Sequence, residues 1–258
     1  MGILNVTPDS FFDGGRYDTL DSALYQTEKL ISDGADIIDV GGESTRPGYE
    51  MISDEEEICR TVPVIEAIKK RFEVPVSLDT YKHRVMQAGI NAGADIINDI
   101  WGLKWDLLNG ENENTAAKIV ADSNVDIILM HNRKNAEDEN FDIFISEMNE
   151  SVKIACAAGI GAERIIIDPG IGFGKTLEFN RAVIKRLDEF SKLGFPVLLG
   201  ISNKSVIGRT LDLETDQRLS GTIALNVYGY VKGCRLFRVH DVLENKRALD
   251  MIESIMNS

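Results

Sequence analysis

Short, almost continuous aliphatic runs alternate with longer segments in which apolar residues recur every three or four positions. The short runs lie at 1–5, 36–40, 75–79, 95–98, 126–130, 164–168, 197–201 and 235–239. They read MGILN, DIIDV, PVSLD, DIIN, DIILM, RIIID, VLLGI and RLFRV. Runs this rich in β-branched and aliphatic residues suit parallel strands covered on both faces, whereas a one-sided antiparallel strand alternates polar and apolar positions. The intervening segments predict helices near 19–33, 54–71, 81–92, 115–123, 139–159, 177–193, 215–232 and 241–256. In the last, Val242, Leu243, Leu249, Ile252 and Ile255 form one broad apolar stripe. Thr19 or Asp21 is expected to cap the first helix and Ser53 or Asp54 the second. Pro63 predicts a kink or an earlier boundary in that second helix. Eight strands, each followed by a helix, predict an α/β fold of the (β/α)8 TIM-barrel type, with residues 1–258 as a single domain. A doubly wound sheet is the alternative, but Gly41-Gly42 does not supply its Gly-x-Gly-x-x-Gly turn.

The strands end in polar residues. Asn5, Asp39, Asp79, Asn98, His131, Asp168, Ser202 and His240 stand at or next to the eight ends. One such residue is ordinarily a helix cap or loop residue. Eight of them, in a barrel, converge on the rim where active sites of this fold lie. An internal echo fits the same plan: GADIID at 34–39 and GADIIN at 93–98 each lead out of a helix into a strand. Reuse of glycine at helix-to-strand turns explains the Gly but not the terminal Asp39 and Asn98.

Composition narrows the ligand. The 258 residues suffice for one barrel of this kind. Lys and Arg total 28 against 42 Asp and Glu, a formal net charge of −14, which disfavours a broad nucleic-acid surface. A few placed donors still suffice for a small anion. Three widely spaced cysteines suggest neither a disulfide framework nor a zinc knuckle, and three histidines exclude a His-rich metal site. No apolar run reaches transmembrane length and no basic-then-apolar leader opens the chain, so a cytoplasmic protein without membrane association is expected.

Several rim segments carry chemistry. NVTPDSFFDGG (5–15) suits a hydrogen-bonding loop or an ordinary Asx turn. GGESTRPG (41–48) combines glycines that admit close approach with hydroxyls and Arg46, whose guanidinium can fork onto a phosphate. Asp79, Asn98 and Asp168 offer the acceptors and donors that read a flat heterocycle with adjacent N–H and C=O groups. DPGIGFGKT (168–176) has the wrong spacing for a Walker A loop, but presents Phe173 and Lys175. ISNKS (201–205) places Ser202 and Lys204 just before a short helix, and RVHD (238–241) places Arg238 and His240 on one face of an extended strand before another. The last arrangement favours anion binding over a simple cap contact.

The segments MGILNVTPDSF, GADIIDVGGESTRPG, SLDTYK, IINDI, DPGIGFGKT, SNKS and FRVHDV, in this order over residues 1–243, resemble the dihydropteroate synthases, pterin-binding transferases of folate biosynthesis. The resemblance implies a C–N bond-forming condensation of 6-hydroxymethyl-7,8-dihydropterin pyrophosphate with 4-aminobenzoate, giving 7,8-dihydropteroate and pyrophosphate by an SN1-like route. It implies pterin contacts from Asp79, Asn98, Met130, Asp168, Phe173, Gly200 and Lys204. Pyrophosphate falls to Asn5, Thr45, Arg46, Arg238 and His240, with Asn5 also a ligand of the accompanying Mg2+. Aminobenzoate falls to Thr7, Pro8, Pro47, Phe173, Ser202 and Lys204. Asp9 and Asp13 on the first loop join Arg46, Lys204, Arg238 and His240 as the catalytic set. Sulfonamide binding and a homodimer through the late helices are further family traits.

The sequence departs from the family pattern at Phe12, a common serine position, at Asn203, where arginine is usual, and at Asn132, Arg133 and Lys134, which replace Met-Gln-Gly. Trp101 is also unusual. The chain starts at the first strand, whereas relatives commonly carry a short leading segment, so either a shortened sequence or a less covered barrel floor is expected. Two other functions stay open: a barrel methyltransferase acting on a methylated folate, which does not use the anion-binding set of Arg46, Arg238 and His240, and a pterin-binding paralogue without turnover.

Overall fold

Parallel pairing of the aliphatic runs builds the centre of the molecule. The computed structural model describes residues 1–7, 16–43, 51–134 and 139–258. In chain order its elements are β1 Gly2–Asn5, α1 Arg16–Ser32, β2 Ile38–Gly41, α2 Asp54–Arg71, β3 Val76–Asp79, α3 His83–Asn91, β4 Ile96–Asp99, α4 Trp105–Leu108, α5 Thr115–Ala121, β5 Asp126–Met130, α6 Phe141–Ala158, β6 Ile165–Asp168, α7 Leu177–Lys185, α8 Leu187–Ser191, β7 Leu198–Leu199, α9 Ser205–Leu211, α10 Leu219–Val231, β8 Leu236–Phe237 and α11 Val242–Met256. Strands β1 to β6 form one parallel sheet in sequential order, and β7 pairs with β8. Single parallel bridges, Ile167 to Val197 and Gly2 to Val239, join the two sheets into a ring of eight. The bond from Ile3 N–H to Val239 O (3.0 Å) completes the closure. The expected α/β TIM barrel is therefore present. No described helix is long and apolar enough to cross a membrane.

Alternation along each strand divides the residues between two environments. Leu4, Ile38, Val40, Leu78, Ile97, Ile127, Leu129, Ile165, Ile167, Leu199 and Phe237 join the apolar layer shared with the helices. The opposite parity packs inside the ring: Ile96, Ile128 and Leu198, with Met1, Ile37, Ile166 and Leu236 against them, form a separate apolar plug. Two positions further along, the same inward face carries Asp39, Asn98, Met130, Asp168, Gly200 and Arg238. The polar layer therefore rests directly on an apolar floor.

Local chemistry explains most boundaries. Ser53 caps α2 by accepting from the Glu56 N–H (3.1 Å), and four acidic residues in the first turn and three basic ones in the last suit the helix dipole. Three expectations need correction. The second helix continues from Asp54 to Arg71 with Pro63 inside it, so no boundary falls at the proline, and five buried residues pin the helix to the barrel. The first helix starts at Arg16, so Thr19 and Asp21 lie inside it and not at its start. The helix expected over 177–193 is two helices, broken at Arg186 (φ −108°, ψ 25°).

The glycine echo has a backbone cause. Gly34, Gly93, Gly159 and Gly233 all take φ near +100° after a helix. Each is followed by a residue whose N–H reaches back to the last turn: Ala35 to Leu30, Ala94 to Gly89, Ile160 to Ala155 and Cys234 to Gly229, at 2.9–3.1 Å. These are Schellman-type endings, which need the left-handed conformation that L side chains resist. A Cβ on Gly159 would touch nothing within 4 Å, so strain alone opposes a side chain there. Gly159→Ala should lower stability by about 1–2 kcal/mol, and Gly159→Asn by less. The shift of the urea unfolding midpoint checks both.

Candidate active site

The inward layer becomes a site because strand register aligns its members. Asn5 pairs with Gly41, Gly41 with Asp79, and Asp79 with Asn98. Met130 pairs with Asp168 on the far side. Gly41 matters by what it lacks: a Cβ there would lie 3.7 Å from Asn5 Oδ1 and 3.8 Å from Asp79 Oδ2, so its absence leaves both oxygens facing one open point.

Arg238 joins two strands across the ring. Its Nε donates to Asp39 Oδ2 (2.6 Å) and its Nη2 to Asp79 Oδ2 (2.7 Å). Asn98 Nδ2 adds a long contact of 3.5 Å to Asp39. Asp39 Oδ1 and Asp79 Oδ1 are buried with no hydrogen-bond partner among the described residues. A buried carboxylate oxygen left this way is costly unless something else donates to it, so these are acceptors poised for a ligand. Asp168 accepts the Gly170 N–H through Oδ1 (2.7 Å). Its Oδ2 faces Gly200, where a Cβ would sit 3.5 Å away. Lys204 Nζ lies near the same point, donates to Ile171 O (2.5 Å), and stands 4.6 Å from the Phe173 ring centroid.

Burial sets the protonation behaviour. It pushes the Asp79 carboxyl up to about 7, with Arg238 pulling it back and Asp39 adding to the rise. Burial also raises Asp168, against the pull of Lys204. It lowers the Lys204 ammonium to about 8, against the carboxylate of Asp168. Arg238 is held charged by Asp39 and Asp79 despite its burial.

One flank of the site is aromatic. Tyr81, Ile100 and Met130 pack together with Trp101, Trp105 and Phe173. Tyr81 meets Trp105 edge-on at 4.6 Å and donates its hydroxyl proton to Glu43 (2.8 Å). Above the ring lies a second tier. The Ser202 hydroxyl bonds His240 Nδ1 (3.0 Å) and accepts the His240 backbone N–H (3.2 Å). Ser202 is buried and His240 is exposed.

The strand ends do not all converge as the sequence suggested. His131 has the parity opposite to Met130 and so points outward. It stacks on Phe144 of α6 (4.2 Å) and pairs with Glu147 (2.7 Å). Arg238 and His240 do not share one contact surface either, because β8 stops at Phe237: Arg238 turns inward to the carboxylates and His240 reaches Ser202. Asn203 takes φ 55°, a conformation asparagine tolerates, and its carbonyl accepts from Arg218 (3.0 Å). Thr7 lies at the rim just beyond β1. Pro8, Asp9, Phe12, Asp13, Thr45, Arg46 and Pro47 lie outside the described residues.

Three groups were given no site role in the sequence reading. Asp39 was visible as a strand end, and its parity with Asp79 and Asn98 was the signal for including it. Lys175 is held by three carbonyls, of His131, Gly170 and Phe173, at 2.8–3.2 Å, and shapes the loop that carries Phe173. Lys82 is buried between Glu43 (2.6 Å) and Glu57 (2.8 Å) and also donates to Ile52 O (2.8 Å). It thus ties both ends of the 44–50 segment, and nothing in the local sequence marks a lysine for such burial.

The profile of the pterin binding enzyme family matches residues 1–240. The chain is 51% identical over 258 residues to dihydropteroate synthase of Clostridium beijerinckii, covering 99% of this chain and 93% of that one. Among solved structures, dihydropteroate synthase from Clostridium difficile, determined in the presence of pteroic acid, superposes with a TM-score of 0.94 at 41% identity, covering 100% of this chain and 96% of that one. The enzyme of Xanthomonas albilineans with 4-aminobenzoic acid gives 0.91 at 38% identity, covering 100% and 93%. Likeness this close, sustained across both sequence and fold, means that the chain belongs to the dihydropteroate synthases, the pterin binding transferases of folate biosynthesis.

Proposed function

We propose that this chain condenses 6-hydroxymethyl-7,8-dihydropterin pyrophosphate with 4-aminobenzoate, releasing 7,8-dihydropteroate and pyrophosphate. The observation that carries this reading is the buried acceptor ring. Asp79 Oδ1 lacks a donor among the described residues and Asp168 Oδ2 faces the gap beside Gly200, matching the N–H edge of a pterin, while Asn98 both donates and accepts. Met130 and Phe173 cover the ring faces, and Lys204 meets the carbonyl and ring-nitrogen side.

The charge pattern fits a dissociative route. Among the described residues Asp39, Asp79 and Asp168 face the site beside Arg238 and Lys204, and this carboxylate-rich base favours positive charge developing in the dihydropterin. The C–O electron pair leaves with the pyrophosphate, to which we assign His240, Thr45 and Arg46. The amine nitrogen of 4-aminobenzoate then forms the new bond to the methylene carbon and sheds a proton. An arylamine is already neutral near neutral pH, so no strong base is needed. We assign Ser202, Thr7, Pro8, Pro47 and Phe173 to the aminobenzoate, and Asp9 and Asp13 to the catalytic set. Sulfonamides, which share the arylamine shape, would enter the same space.

Asn5 fits a magnesium ligand. Its amide oxygen lies at the end of β1, open toward Asp79 across Gly41, and Mg2+ prefers one or two protein oxygens alongside phosphate and water. When bound, Mg2+ neutralises the pyrophosphate and makes it a better leaving group. Homodimerisation is supported by the apolar groove between α7, α9 and α10, lined by Ile184, Val206, Ile207, Leu211, Leu225 and Tyr228.

Three outcomes are expected. With both substrates and Mg2+, stoichiometric pyrophosphate release should accompany pteroate formation. His240→Ala should then lower kcat by about 10²–10³, as for loss of a donor that stabilises transition-state charge. Product without pyrophosphate, or binding without turnover, would refute the reading. Pterin capture needs Asp79 ionised and Lys204 protonated, so kcat/KM should fall as pH drops below about 7 and again as it rises above about 8. Asp79→Asn should flatten the acidic limb of that profile. In sedimentation velocity the protein should run as a dimer, and Leu211→Asp should shift it to a monomer.

A further inference from the structure

Outside the ring, where β3 and β4 hand over to their helices, three metal-ligating side chains come together. His83 is the first residue of α3, Asp106 sits in the short α4, and Glu111 follows it. His83 Nδ1 lies 3.2 Å from Asp106 Oδ1 and 4.0 Å from Glu111 Oε1. One ligand atom from each falls within 4.8 Å of the other two. Around an ion bound at about 2.0–2.2 Å in a tetrahedral site, ligand atoms stand roughly 3.4 Å apart, so only the glutamate needs to swing inward.

The cluster also has an electrostatic deficit. The Asp106 side chain is 1% exposed, yet among the described residues His83 is the sole basic side chain within ion-pairing distance of either carboxylate. An imidazole carries full charge only when protonated, so a nearly buried carboxylate and its neighbour lack a permanent counter-charge. Burial of that kind is costly unless a cation completes it. The carboxylate is also already aimed. Asp106 Oδ2 accepts the Ala116 N–H (2.8 Å), and Asp106 O accepts the Glu111 N–H (3.0 Å). This is the outer-shell support that ligating carboxylates ordinarily have. Glu111 is partly exposed, so the solvent side stays open for water ligands.

We propose that His83, Asp106 and Glu111 form a binding site for one divalent transition-metal ion of the zinc class, separate from the catalytic ring. A mixed imidazole and carboxylate set selects zinc, cobalt or nickel over magnesium and calcium, which prefer all-oxygen sites. The ion would tie the start of α3, four residues beyond Asp79, to the α4 turn beside the Tyr81–Trp105 pair.

The protein has two tryptophans, and Trp105 is the chain neighbour of Asp106, so a paramagnetic ion bound here is visible to fluorescence. The whole protein, stripped with chelator and held in excess Mg2+, is titrated with Zn2+ by calorimetry and with Co2+ by tryptophan quenching. One Zn2+ per chain with micromolar or tighter affinity is expected, together with a raised melting temperature. His83→Gln and Glu111→Gln, both partly exposed and away from the ring, should each weaken binding by about 10–100-fold and abolish the melting shift. Binding unaffected by both substitutions, half-saturation only at millimolar metal (an adventitious ion only), or no saturable uptake would each overturn the proposal.

Discussion

Burying three carboxylates in one ring is tolerable only because half-buried Arg238 and Lys204 stand beside them. The Arg238 guanidinium spans Asp39 and Asp79 from adjacent strands, with both contacts under 3 Å. Such a group is not an optional contact, because removing it would leave two uncompensated charges in a medium that solvates them poorly. Burial lifts Asp79 toward neutral pH, and oxygens of Asp39 and Asp79 are left without donors among the described residues. The polar layer is therefore incomplete as a folded core and complete only as a binding surface.

The apolar plug beneath it makes this arrangement possible. Ile96, Ile128 and Leu198 exclude water from below, so the charges act in a setting where Coulomb interactions are strong and fixed in direction. Backbone closure through two single bridges at β7 and β8 is economical, and those two strands are short. Beyond their ends the chain is free to bend, which brings Ser202 and Lys204 from one side and Arg238 and His240 from the other over the same opening. Regular strands of full length would have carried these residues straight past it.

Much of this was readable from residue order. The eight aliphatic runs, the helices between them, the Ser53 cap and the polar strand ends all follow from local periodicity and local hydrogen bonding. So did the candidates Asp79, Asn98, Asp168, Lys204 and Arg238, because inward-facing residues at strand ends in a barrel converge on the rim. His131 shows where such reading stops. It sits at a strand end as Asp168 does, but a displacement of one residue turns it to the helix layer and a stack with Phe144. Register of this kind depends on which neighbour a strand pairs with, and a run of consecutive apolar residues carries no mark of parity.

The chain order alone thus determined the architecture and the chemical character of the rim, because propensity, capping and strand termini act over a few residues. Tertiary structure decided which of those polar groups face each other. The Arg238 bridge to Asp39 spans 199 positions and the Lys82 pairing with Glu43 spans 39. Charges that distant along the chain acquire their protonation, their partners and their exposed oxygens only when ring closure sets the distance and burial removes the water between them.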